Sequence, residues 1–325
     1  MHATSIQCLS ETVADAGIAE PNFHALPAVN PDAGQHHQNF GMLRGIYNAV
    51  LIYNPAAGRL RGRHLRLMEG AQAALRDVGI AAELLPTSAP GIATALARQA
   101  VAENRQLVIA CGGDGTINEV VNGLAGSQIP LAVLPGGTAN VLAKELGIPW
   151  DVHHAARLVP LGTPRRIALG LAIPDDPARQ PRYFICLAGA GPDGQLVHAV
   201  NLGVKARIGI LAYWLEGIRQ FFTYSYPEFQ VFSPQVRALS TLTVIGRTRH
   251  YGGPVCITTE ADLFSDQFEV FSVSTRSRWR YAVNFLSVLA GRHRQLKENF
   301  FWKTDRVRCE PLPGCTLYAQ VDGEP

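Results

Sequence analysis

The nine residues Cys111-Gly112-Gly113-Asp114-Gly115-Thr116-Ile117-Asn118-Glu119 hold the strongest chemical signal in the chain. They lie between an apolar, strand-like run (107–111) and a segment (116–124) in which Ile117, Val120, Val121 and Leu124 recur at helical spacing. Glycines at a strand-to-helix turn let backbone N–H groups approach an anion closely, and a helix N-terminus adds partial positive charge. Phosphate is the guest expected there. Asp114 inside such a cradle would repel phosphate, which implies a Mg2+ ion shared with the ligand. Thr116 and Glu119 have the spacing of a capping box. The purely structural reading is a tight turn with a capping residue.

A second glycine turn, Leu134-Pro135-Gly136-Gly137-Thr138-Ala139-Asn140, follows the next apolar run and opens a helical segment that stops at Gly147 before Pro149. Asn54-Pro55-Ala56-Ala57-Gly58 closes an earlier run in the same way. Singly, Asn-Pro and Gly-Gly mark ordinary turns. Three at successive strand ends can face one crevice, where the ligands of parallel sheets bind. A competing segment, Gly189-Ala190-Gly191-Pro192-Asp193-Gly194, satisfies the GxGxxG dinucleotide fingerprint with Glu216 further on. Against it, strand-helix alternation has ended by that point, and Pro192 removes an N–H from the turn.

These turns must be positioned by the elements around them. From residue 46, apolar runs alternate with helix-period segments: 46–53 with 63–78, 81–85 with 91–103, 107–111 with 116–124, and 131–134 with 138–146. In the first helix Leu65, Met68, Leu75 and Val78 share one face before Gly79. Such alternation predicts a parallel sheet covered by helices. After about residue 160 the segments 182–188, 228–233, 238–245, 255–259, 267–274 and 315–321 read as strands, interrupted by helical stretches near 208–222 and 281–290. A second, mainly antiparallel β domain is expected. Residues 1–44, with Pro21, Pro27, Pro31 and the solvated pair His36-His37, read as a disordered extension.

Bulk properties agree. A chain of 325 residues has room for two cores, and 47% hydrophobic with 17% charged residues is an ordinary globular composition. A net charge of +3 is too small to imply nucleic acid. The six cysteines are scattered without a CxxC pair, which suits buried thiols in a reducing cytoplasm. Apolar runs such as 167–173 fall far short of the ~20 residues that cross a bilayer, and the N-terminus lacks a signal-peptide pattern.

Asn54-Pro55-x-x-Gly58, Gly112-Gly113-Asp114-Gly115-Thr116-x-Asn118-Glu119 and Gly137-Thr138-x-Asn140 together resemble the catalytic domain of diacylglycerol, sphingosine and ceramide kinases and their bacterial lipid-kinase relatives. The resemblance covers roughly residues 46–325 and is most specific in the first hundred of them. It implies an α/β plus all-β fold: a Rossmann-like parallel α/β nucleotide domain over 45–160 and an antiparallel β-sandwich lipid domain over 161–325, with ATP in the cleft between them. By the same resemblance Asn54, Gly58, Thr87, Gly112, Gly113, Asp114, Gly115, Thr116, Ile117, Asn118 and Thr138 would hold ATP and Mg2+, with Gly137 in the second turn. Glu119 and Asn140 would support the loops. The closing Val321-Asp322-Gly323-Glu324-Pro325 looks like a family segment whose acidic residues accept the proton of the lipid hydroxyl; Asp322 and Glu324 are both candidates. The structural alternative is a plain Asp-Gly hairpin turn, which needs a returning strand. The chain stops two residues after Gly323, so either the C-terminus is truncated or the site is incomplete.

Residues 261–268 resemble a loop that holds a structural Mg2+ through Asp266 and backbone carbonyls, although Gln267 stands where glycine is usual. NAD kinases share the Gly-Gly-Asp-Gly-Thr motif, but Asn54-Pro55 and Asp322-Gly323-Glu324 favour the lipid branch. A nucleotide-binding regulatory module without catalysis is the alternative from another class. Between Arg276 and Arg308 nine Lys or Arg face only Glu298 and Asp305, interleaved with Trp279, Phe285, Phe300, Phe301 and Trp302. That mixture suits peripheral contact with an anionic membrane, or a solvated face. The helix near 208–222 is a candidate wall for a lipid pocket, and a homodimer is compatible with the family.

Overall fold

The computed structural model describes residues 5–11, 17–21, 45–199, 210–252 and 255–324. The chain starts with β1 (Ile6–Glu11) and β2 (Gly17–Pro21). It then alternates through β3 (Ile46–Tyr53), α1 (His64–Asp77), β4 (Ile80–Pro86), α2 (Ile92–Ala102), β5 (Leu107–Gly112), α3 (Asp114–Leu124) and β6 (Leu131–Pro135). Helices α4 (Val141–Glu145) and α5 (Val152–Leu158) lead to β7 (Gly162–Arg166). Strands β4, β3, β5 and β6 pair in parallel in that order, and β2 and β7 extend the sheet. β5 and β6 are buried along their whole length, as strands covered on both faces must be. One face packs on α2 and α3 through Ala93, Ala97, Ile117, Val120 and Val121. The other packs on α1 and α5 through Met68, Ala71, Leu75 and Ala156.

The second half holds β8 (Leu169–Pro174), β9 (Arg182–Phe184), β10 (Leu187–Ala190), α6 (Pro192–Ala199), α7 (Ile210–Thr223), β11 (Phe229–Phe232), β12 (Arg237–Ser240), β13 (Leu242–Gly246), β14 (His250–Gly252) and β15 (Val255–Cys256). It ends with β16 (Phe268–Val273), α8 (Arg278–Leu289), β17 (Asn299–Thr304), β18 (Arg306–Pro311) and β19 (Ala319–Val321). Two antiparallel sheets, ordered β12-β11-β18-β1-β8-β9 and β17-β16-β13-β10-β19, enclose a core of Cys8, Phe184, Phe229, Val231, Phe268, Val270, Val307 and Cys309. The expected parallel α/β unit and antiparallel β-sandwich are both present.

The arrangement of elements departs from the sequence reading in four places. Residues 1–44 are not a uniformly disordered extension, because β1 lies in the middle of a sandwich sheet, with Cys8 opposite Val307 on one side and Ala172 on the other. Ile6 and Cys8 alternate inward, a signal too short to stand out beside the Pro- and Gly-rich residues that follow. His36-His37 lies outside the described residues. β7 pairs with β2 in the parallel sheet, so by sheet membership the α/β unit runs past 160 and the sandwich begins at β8. In α1, Leu65 faces solvent at 63% exposure, and the small residues Ala71 and Ala74 complete the buried stripe instead. The charged and aromatic stretch 276–308 contains α8, β17 and the first half of β18, and its many cations concealed the two strands.

Candidate active site

Three turns that leave β3, β5 and β6 meet at the carboxyl end of the parallel sheet. Asn54 N–H donates to Cys111 O (3.1 Å), Arg59 N–H to Gly136 O (3.1 Å) and Gly136 N–H to Gly112 O (3.0 Å). Glycine is required by space. A Cβ on Gly137 would lie 2.4 Å from Gly113 Cα, one on Gly136 2.9 Å from Gly112 N, and one on Gly58 2.7 Å from Thr138 Oγ1. The turns therefore bring bare backbone to the cleft. Asn54 Nδ2 reaches Thr116 Oγ1 at 3.4 Å, and Thr87 N–H donates to Tyr53 O at 2.8 Å, closing the rim.

Asp114 ties two turns together. Its Oδ1 accepts from Val141 N–H at 2.6 Å, at the start of α4, and burial pushes its carboxyl up against the pull of those backbone N–H groups. Asn140 sits at φ 47°, and its amide bonds both N–H and O of Gly137 at 2.9 Å. The capping box does not form: α3 begins at Asp114 with Gly113 as its N-cap, which places Thr116 inside the helix. Glu119 instead accepts from Ala93 N–H (3.1 Å) in the first turn of α2. Asn54, Gly58, Thr87, Gly113, Asp114, Gly115, Thr116, Glu119, Gly137 and Thr138 line one cavity. Gly112 and Asn140 lie behind it, and Ile117 points into the core.

Asn118 also turns away from the turns, toward the end of the chain. Its Nδ2 donates to Asp322 Oδ2 at 2.7 Å, and its Oδ1 accepts from Arg182 at 2.7 and 3.0 Å. Asp322 further accepts from the backbone N–H of Ile185, Cys186 and Leu187 at 2.9–3.0 Å. Burial raises its pKa while these four donors pull it down. Asp322 and Gly323 have φ 48° and 78°, as a tight Asp-Gly hairpin turn requires, and Glu324 returns to bond Val321. Glu324 is left with Arg182 at 2.8 Å, its side chain 37% exposed, and one oxygen 2.7 Å from where a Cβ on Gly115 would stand. The turn thus has a buried, saturated carboxylate and an open one.

Sequence reasoning passed over Arg182 and gave Asp193 no role. Asp193 is buried at the start of α6, where burial raises its carboxyl while hydrogen bonds from Tyr251 and Gln320 (2.8 Å) lower it. The glycines of the GxGxxG segment serve this arrangement. A Cβ on Gly189 would meet Asp193 Oδ2, and one on Gly194 would meet the Tyr318 backbone at 2.3 Å. β10 belongs to an antiparallel sheet, which removes the dinucleotide reading. Asp193, Glu324 and the glycine turns border the same cavity of about 1970 Å³. Its far end is apolar, with Leu196, Val197, Phe221, Val244, Phe271 and Phe285 on the wall. Phe221 lies on α7, the helix expected there.

Asp266 is not part of this cavity, and its loop does not suit a metal ion. The carbonyls of Leu263 (3.0 Å) and Ser265 accept from the guanidinium of fully buried Arg247, which also bonds Ser10 of β1 (3.2 Å). A cation is already supplied by the chain, with Asp262 and Asp266 close enough to favour it. Chelation with EDTA is therefore expected to leave the melting temperature unchanged. Arg247→Met, by contrast, should lower it through the unsatisfied carbonyls, each costing about 1–3 kcal/mol. Calorimetry of both samples checks this.

The comparisons with known proteins agree with the geometry. Residues 48–172 match the diacylglycerol kinase catalytic domain family. The chain is 30% identical over 286 residues to a diacylglycerol kinase of Bacillus subtilis (strain 168), covering 85% of this chain and 89% of that one. A diacylglycerol kinase of Mycobacterium tuberculosis (strain ATCC 25618 / H37Rv) is 28% identical over 281 residues, covering 85% and 89%. The crystal structure of a diacylglycerol kinase from Bacillus anthracis str. Sterne superposes with a TM-score of 0.63 at 23% identity, covering 86% of this chain and 91% of that one. Glycine turns on a parallel sheet, a sandwich behind them and a relative at this identity over most of both chains make this protein a kinase of the diacylglycerol kinase family.

Proposed function

We propose that this kinase transfers the γ-phosphoryl group of ATP to a hydroxyl of a membrane-derived lipid: diacylglycerol, a sphingoid base or a related acceptor. The observation that carries the reading is the continuity of the cavity. One end is bare backbone suited to a triphosphate, the other is apolar and suited to acyl chains, and Glu324 lines the same cavity beside Gly115. Asn54, Thr87, Thr116 and Thr138 would hold the nucleotide beside the glycines. Asp114 puts a hard carboxylate oxygen on the wall of the cradle, the donor type that Mg2+ takes, so it would hold the ion. Bound there, Mg2+ would neutralise charge on the transferring phosphoryl group.

The chain's own residues supply positioning and a base. The acceptor oxygen forms a bond to phosphorus as the bond to the leaving ADP oxygen breaks, and its proton passes to the Glu324 carboxylate, which Arg182 orients. Asp322 has no free lone pair for that proton and serves to fix the turn. Asp193, presented by Tyr251, is placed to meet a polar headgroup in the cavity.

The test is incubation of the protein with labelled ATP, Mg2+ and a panel of diacylglycerol, sphingosine-like and glycerophospholipid acceptors. Label should enter at least one lipid, and Asp114→Ala should abolish transfer in a folded protein. A protein that binds ATP yet labels none of them would be a regulatory module, and the proposal would fail.

A further inference from the structure

Helix α8 is built the wrong way round for water. Its inward face is partly polar: Asn284 is 4% exposed and exchanges amide hydrogen bonds with Asn299 (2.6 and 3.1 Å), and Tyr281 stacks on Tyr226 and bonds Thr241 Oγ1 at 2.6 Å. Its outward face carries Trp279 (79% exposed), Val283 (51%) and Leu286 (63%), spaced i, i+4, i+7 on one stripe. An amphipathic surface helix normally shows the reverse. Contiguous exposed apolar residues of this kind mark an interaction surface.

Charge identifies the partner. Residues 276–297 contain six Lys or Arg and no Asp or Glu. Arg280 and Arg294 are paired with Glu298, Glu260 and Glu269. Arg276, Arg278, Arg292 and Lys297, at the two ends of the helix, are exposed and form no ion pair among the described residues. Two copies of this face would oppose cation to cation. An apolar stripe bracketed by unpaired cations instead complements an anionic bilayer, with the side chains entering the acyl boundary and the cations at the phosphates. The helix is also a wall of the cavity: Tyr281, Phe285 and Val288 line it, and Leu286 both lines it and faces outward, which places the mouth beside this face.

We propose that the outer face of α8, with the cations at its ends, seats this kinase on an anionic phospholipid bilayer and holds the apolar mouth of the cavity against it. The proposal rests on the lipid-acceptor reading of that cavity, and the experiment separates the two. Purified protein is sedimented with phosphatidylcholine vesicles, with or without phosphatidylglycerol, in the absence of nucleotide. Transfer is assayed in parallel to a short-chain, water-soluble diacylglycerol and to the same lipid class embedded in vesicles. Binding should require phosphatidylglycerol and weaken with salt. Arg276→Gln with Arg292→Gln should weaken it about fivefold per charge removed. Trp279→Ser with Val283→Ser should weaken it at least as much, and each pair should slow transfer to the embedded lipid while leaving the soluble acceptor unaffected. Equal vesicle binding by wild type and variants, no binding by wild type, or a wild-type dimer that the Trp279/Val283 variant dissolves would each overturn the docking surface. Failure with the soluble acceptor alone would count against the lipid-kinase reading and leave the vesicle result standing.

Discussion

Glu324→Gln is expected to lower turnover by about 10²–10⁴-fold, the usual contribution of a positioned general base, while nucleotide affinity and melting temperature stay at wild-type values. The amide keeps the size of the carboxylate and can still accept from Arg182, so only proton acceptance is lost. Asp322→Asn should fail differently. Both oxygens of Asp322 accept two donors each, Oδ2 from Asn118 and Ile185 and Oδ1 from Cys186 and Leu187. An amide must turn its NH2 toward one of these pairs, leaving two buried donors unsatisfied at about 1–3 kcal/mol each. Backbone strain is not the cause, because asparagine tolerates the φ of 48° at this position. Asp322→Asn should therefore lose stability and activity together, and Glu324→Gln activity alone. Single-turnover kinetics and thermal melts on both proteins decide it. An Asp322→Asn protein that melts as wild type but does not transfer would move the base to Asp322.

What could be read in advance divides along a physical line. The parallel sheet was legible because strands buried on both faces are long apolar runs, and because glycine turns recur at successive strand ends: 107–113 and 131–137 carry both signals. β1 was not legible, since a strand inserted between two distant strands owes its place to Val307 and Ala172 rather than to anything local. β17 and β18 were hidden for the opposite reason: their edge and outward positions carry the cations that made 276–308 look like a charged surface. In the site, residues whose role is to expose backbone could be named from their type. Those acting through partners far along the chain could not. Nothing near Asp322 announces that the N–H groups of 185–187 converge on it, and nothing near Asn118 announces Arg182. The same long reach explains why Thr116 and Glu119 suggested a capping box when Glu119 in fact serves another helix. Asp193 was visible only as part of a glycine pattern with a better-known meaning, and the antiparallel sheet that removes that meaning is a tertiary property.

The convergence of the glycine turns makes a second sharp expectation, because two adjacent glycines of the cleft differ only in the space around them. At Gly137 an added Cβ would fall 2.4 Å from Gly113 Cα and 3.1 Å from its N, backbone atoms that cannot rotate away. At Gly113 the nearest atom would be Gly137 Cα at 3.6 Å, an ordinary contact. Neither glycine has a positive φ, so alanine is conformationally permitted at both and the comparison isolates packing. Gly137→Ala should cost about 1–3 kcal/mol of stability, typical of overpacking, and Gly113→Ala very little. The larger effect is on function. To relieve the clash the second turn must move away from the first, which drags Asn140 and the start of α4 with it and breaks the bond from Val141 N–H to Asp114. Asp114 then loses its fixed place on the cavity wall, and a displacement of about 1 Å at a reacting centre is enough to cost about 10²-fold in rate. Gly137→Ala is accordingly expected to lose at least that much in kcat/KM, with Mg2+-ATP affinity falling in parallel by calorimetric titration. Wild-type affinity in a Gly137→Ala protein would mean that the two turns do not hold the nucleotide jointly, and the cradle would have to be sought elsewhere along the cavity.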